Sequence, residues 1–267
     1  MKKILFILPV LFFHLVQAQE LFVYSEPASN MPAHTISTKF SAFSGKADAT
    51  KGQRYIPEVM FGLSKNFMLH SGVSFSNMYS SAVRWESVYL YGKYRFFSRD
   101  DVHQHFRAAA YARAGYSRNS YHAEEVNIWG DRSGIELGLI ATQLVHKFAV
   151  SATISHSQAL DPSRADKVFY TPARVYQSMN YSVSSGLLLL PKEYRNYRQL
   201  NVNVYAELLG QKTIERGLYY IDFAPALQLI FNSNSRIDLG YRFQLSGNET
   251  RSMKESFLFS FEHTFFR

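Results

Sequence analysis

The chain has 267 residues, no cysteine and a formal net charge of +8, so disulfide staples, thiol catalysis and cysteine-bound zinc are excluded. Aromatic residues make up 16%, including 18 Tyr and 22 Phe, yet mean hydropathy is only -0.18. Those values are aromatic for a soluble chain and too polar for a bundle of membrane helices; they fit strands in which every second residue meets lipid. Basic residues are dispersed along the chain, which argues against a nucleic-acid partner.

In chain order, Lys2 and Lys3 precede an apolar run from Ile4 to Val16, and Val16-Gln17-Ala18 offers a cleavage site. This predicts a signal peptide over residues 1–18, a mature chain from near Gln19 and secretion through an inner membrane. The run is too short to span a bilayer as a helix. Residues 19–34, with Pro27 and Pro32, form a periplasmic lead-in folded into the lower mouth of a barrel.

Twelve runs with a period of two then occupy residues 35–267 as one domain. They are Thr35–Phe43, Arg54–Leu63, Phe67–Tyr79, Arg84–Phe97, His105–Ser117, Arg132–Val145, Lys147–Ser157, Val175–Leu190, Tyr197–Leu209, Gly217–Phe231, Arg236–Ser246 and Ser256–Phe266. Ten or fourteen strands are the alternatives. Connections after the first, fifth, seventh, ninth and eleventh runs are long and polar, starting with Ser44–Gln53, and those after the second, sixth and tenth are tight. Regular alternation of this kind predicts an all-β antiparallel barrel with external loops and periplasmic turns.

The last run places Phe257, Phe259, Phe261 and Phe265 on one face and Ser256, Leu258, Ser260, Glu262 and Thr264 on the other. With Phe266 beside it, this ladder resembles the final strand of bacterial outer-membrane β-barrels, although Arg267 follows where that family usually stops on the aromatic. The resemblance implies an outer-membrane location, lipid around the wall, and handling by the barrel-assembly machinery, with the Phe ladder as the assembly signal. On this register a charge at Phe259 or Phe261 should block insertion, whereas one at Ser260 should be tolerated.

Because Lys or Arg at mid-bilayer costs about 2–4 kcal/mol, charged faces must point inward. The rule puts Lys39, Glu58, His70, Lys93, Arg95, Arg107, Arg113, Glu136, Glu207, Asp222, Asp238, Arg242 and Glu262 in the lumen. Lys93, Arg95, Arg107 and Arg113 share two adjacent runs; Glu207, Asp222, Asp238 and Glu262 lie on the last four. Such a division has two outcomes: a transverse field across an open constriction, or long side chains that cross the lumen and close it.

No catalytic, metal or cofactor site emerges. Ser155-His156-Ser157 has its serines on the face opposite the histidine, the wrong geometry for a dyad. His103 and His105 have no third ligand nearby, and Met31, His34, Met60, Met68 and Met78 are more ordinary as packing than as a soft-metal site. Tyr176 and Asn180 are inward residues that any pore could carry. The sequence therefore predicts a channel or facilitator for small polar solutes, with a non-conducting envelope subunit and a lipid-modifying barrel enzyme as the other classes.

Overall fold

The computed structural model describes residues 22–47, 50–102, 104–119, 123–160, 175–191 and 199–265; the signal peptide, His103 and Phe266 lie outside them. The strands are β1 (Ile36–Ala47), β2 (Thr50–Gly62), β3 (Phe67–Ser76), β4 (Arg84–Asp100), β5 (Gln104–Ser117), β6 (Gly134–Val145), β7 (Phe148–Ala159), β8 (Gln177–Leu190), β9 (Asn201–Thr213), β10 (Tyr219–Phe231), β11 (Ser235–Gly247) and β12 (Glu255–Phe265). Each pairs antiparallel with its sequence neighbour, and β1 pairs with β12 to close the barrel. No strand edge is left, so every ladder is made internally, as a bilayer demands.

Side chains alternate as the period predicts. Leu137, Leu139, Val183, Phe257, Phe259, Phe261 and Phe265 stand exposed on the outer face, while Ser41, Lys93, Arg113, Glu207, Gln228 and Ser260 are buried inside. Some hairpin ends lie further out than the sequence expectation, β9 for example running on to Thr213. The stretch 44–53 is not a long loop, because β1 and β2 continue pairing out to Ala47 and Thr50. Likewise 98–104 is mostly strand, because β4 runs on to Asp100 and pairs with His105. In both places polar side chains extend a hairpin beyond its apolar band, and polarity alone does not distinguish such an extension from a loop.

A bulge between Arg95 and Phe97 turns both Phe96 and Phe97 outward and leaves Arg95 near the lower end of the barrel, the end at which β1 begins and β12 finishes. Its guanidinium donates to the Lys65 carbonyl in the β2–β3 turn at 2.8 Å, so Arg95 belongs to the rim rather than to the middle of the wall.

Candidate functional site: a lumen entered from both ends

Among the described residues, two chain segments enter the barrel. From the lower end, residues 22–34 run up inside the wall. Phe22 and Val23 pack with Leu144, Ala149, Tyr205 and Leu258. The Phe22 ring meets Tyr205 edge-on at 5.6 Å between centroids. Main-chain N–H groups of Val23, Tyr24 and Ser25 donate to the Glu207 carboxylate at 3.0, 2.9 and 2.9 Å. The Ala28 N–H donates to Thr142 Oγ1 at 2.9 Å. Lys93, fully buried, donates to Pro27 O at 2.6 Å and Ser29 O at 2.8 Å, and pairs with Glu26 at 3.3 Å. Arg107 reaches Ser29 Oγ at 2.9 Å while pairing with Asp100 at 3.0 Å. Met31 packs on Met60 and Met68, so these thioethers fill a gap between segment and wall. The exit is as tight: a Cβ on Gly62 would lie 2.0 Å from the Pro32 carbonyl oxygen, so only glycine lets the chain cross there.

From the opposite, upper end the β5–β6 loop folds inward. Val126 and Ile128 are nearly fully buried, with Ala159 and Val175 as neighbours. Gln211 on β9 holds Val126 by its main chain, accepting from the N–H at 2.8 Å and donating to the C=O at 3.2 Å. Trp129 covers Arg113, whose guanidinium carbon lies 3.8 Å from the ring centroid. Asp131 pairs with Arg54, which also forks onto Glu86 at 2.8 and 3.0 Å. Gly115 makes room for the loop, since a Cβ there would sit 2.6 Å from the Ile128 carbonyl oxygen.

The β11–β12 loop then caps this one. Thr250 accepts from the Glu125 N–H through its carbonyl, and both its N–H and hydroxyl donate to Glu124 at 3.0 Å. Arg251 forks onto Asp222 at 2.7 Å, lies 3.6 Å from Glu125 and stacks 3.6 Å from the Tyr220 ring centroid. Glu249 is buried in the same loop, and among the described residues neither of its carboxylate oxygens has a hydrogen-bond partner. Burial and then the Glu125 charge, opposed by Arg251, push its carboxyl up to about 8. A carboxyl raised on folding stabilises below its unfolded pKa and loses that contribution as pH rises through the raised value. The cap should therefore loosen between about pH 4.5 and 8, read as faster proteolysis of the β5–β6 loop, and Glu249→Gln should flatten the profile.

Between the two segments lies a cavity of about 300 Å³. Glu26, Lys39, Arg113, Trp129, Asn180 and Arg242 are among its lining residues. Glu26 keeps 31% of its side-chain surface open although the chain encloses it, because its carboxylate faces this space.

The inward-facing charges do not confront one another across the lumen as two bare walls. Arg113 pairs with Glu136 on the next strand at 2.5 Å, His70 with Glu58 at 2.9 Å, Arg242 with Asp222 at 2.5 Å and Arg236 with Glu262 at 2.6 Å. Asp238 takes hydrogen bonds from Gln228 and Ser260. Among the described residues, Lys39 is the lining cation with no carboxylate within ion-pair distance. Ser155 and Ser157 point inward, bonding Glu136 and Asn180, while His156 meets Gln177 on the outer face at 3.4 Å.

Sequence reasoning missed Glu26, Arg54, Glu86, Glu125, Asp131, Arg236 and Arg251. Arg54 is in phase with Glu58, and Arg236 with Asp238, so parity alone could have found both. Glu86 is in phase with the outward Val88 and Leu90, so alternation places it outside; the bulge opposite Ser74 and Phe75 turns it inward. The others lie on segments without a period.

No family model and no curated protein matches the chain. Solved structures do share the fold. An outer membrane channel from Pseudomonas putida F1 is 12% identical, with TM-score 0.56, over 91% of this chain and 100% of that one. The KdgM porin is 10% identical, with TM-score 0.51, over 86% of this chain and 99% of that one.

Proposed function

We propose that the protein is a gated outer-membrane channel for small polar solutes, oriented with its lower end in the periplasm. One observation carries the reading: the wall is a complete barrel whose lumen is filled by two segments that are not part of the wall. They are held by side-chain contacts rather than by strand pairing. Such segments can leave without breaking a ladder. A barrel built only as a rigid docking subunit has no need of a polar cavity between removable parts, and the outward His156 with inward serines offers no support for lipid hydrolysis. The fold shared with a channel and a porin is consistent with this reading.

The absence of cysteine gives a clean test. Ala28→Cys with Thr142→Cys joins the lower segment to β6, where the native contact is 2.9 Å. In planar bilayers the oxidised double variant should show no conductance steps, and a reductant should restore them. Silence in the reduced variant and in the wild type would remove the channel reading.

A further inference from the structure

Glu207 lies inside the barrel on β9 with no exposed surface, and among the described residues no cation stands within ion-pair distance of it. Its charge is met by hydrogen-bond donors alone. Oε1 accepts from the N–H groups of Val23 and Tyr24; Oε2 accepts from the Ser25 N–H and from the Ser184 hydroxyl at 2.9 Å. Three of those four donors belong to the lower segment and leave with it. Two residues along the same inward face, the Tyr205 ring is covered by Phe22 from that same segment.

Withdrawing the segment thus bares a carboxylate that lacks a counter-charge, next to an aromatic ring and the apolar side chains of Phe43 and Leu258. We propose that Glu207 and Tyr205 form a site for a primary ammonium carrying an apolar body, and that such a cation opens the channel by replacing the segment. A primary ammonium offers three N–H donors, the number that the segment supplies, and its apolar part takes the place of Phe22. The ligand binds only the withdrawn state, because the segment occupies every one of its contacts in the docked state. Its binding therefore shifts the population toward opening. The inference deepens the channel reading by naming a solute class.

The test follows the segment directly. Ala28 is fully buried, so a maleimide labels Ala28→Cys only when the segment has moved. Phenethylammonium should accelerate labelling saturably. Its N,N,N-trimethyl analogue, with equal charge and no N–H, should need roughly tenfold higher concentration or more. Glu207→Gln should label faster without any amine, because the amide nitrogen turns a donor toward the segment's own donors, and should no longer respond to phenethylammonium. Equal potency of the two cations, a response that survives in Glu207→Gln, or no response in wild-type background would each overturn the proposal. Accelerated labelling without conductance would instead sink the channel reading and leave the site standing.

Discussion

Lys93→Met should release the lower segment while leaving the barrel folded. The ammonium is buried without exposure and is held by two carbonyls and the Glu26 carboxylate, so removing it strands three acceptors at once. Removing one partner of a buried ion pair costs about 3–5 kcal/mol. Glu26 stays partly open to the cavity and can rehydrate, which brings the expected loss down to about 2–3 kcal/mol. None of that falls on the ladders, because each contact joins wall to segment. The docking equilibrium should shift by roughly 30- to 150-fold, seen as faster maleimide labelling of Ala28→Cys with unchanged heat-modifiable mobility on a gel. Lys39→Met is the comparison: it removes a lumen cation that makes no ion pair among the described residues and acts on Glu26 only at a distance, so labelling should change far less than in Lys93→Met. Equal labelling in Lys93→Met and the parent would mean that Glu207 and the Phe22 contacts suffice to hold the segment.

The same contact sets an acid limit. Burial works against ionisation of Glu26, yet the charge of Lys93, followed by His70, Lys39 and Arg236, brings its carboxyl down to about 2. A carboxyl lowered on docking stabilises above its free pKa and loses that contribution as pH falls through the lowered value. Docking should therefore persist at neutral pH and weaken from about pH 4.5 toward 2. The upper cap responds in the opposite sense, since Glu249 loosens it as pH rises.

The wall is legible in the sequence because two local rules coincide. A period of two in Val202, Val204, Ala206 and Leu208 against Asn203, Tyr205 and Glu207 gives the strand and its faces, and the cost of a charge in lipid says which face is inside. Neither rule says what an inward charge touches. By pattern alone Lys93 and Glu207 belong to opposite walls of one field; each is instead satisfied by the same thirteen residues of the segment 22–34, which have no period to place them. Arg54 and Asp131 meet across 77 positions of sequence, by way of a loop whose path depends on Gly115 and Gln211. Pairing inside a lumen is set by long-range closure of the barrel, and the local pattern carries no information about it.

Phe259→Arg should be the most damaging substitution in the wall. Phe259 stands outward and exposed on β12, opposite Ala42 of β1 on one side and Leu239 of β11 on the other, at the seam that closes the barrel. An arginine at such depth costs about 2–4 kcal/mol against lipid, so the folded fraction in vesicles should fall steeply. Phe259→Leu keeps an apolar side chain and should lose little. The neighbouring inward position is not the neutral control that the alternation suggests: Ser260 is fully buried and donates to Asp238 Oδ2 at 2.6 Å, so Ser260→Asp would set two carboxylates against each other. Ser256 serves better. It lines the cavity and is the register partner of Arg242, so an aspartate there gains a cation within reach and should cost under about 1 kcal/mol. Urea titration of vesicle-folded protein gives the comparison. A larger loss for Ser256→Asp than for Phe259→Arg would mean that β12 is shifted by one residue, with every phenylalanine of its ladder turned into the lumen.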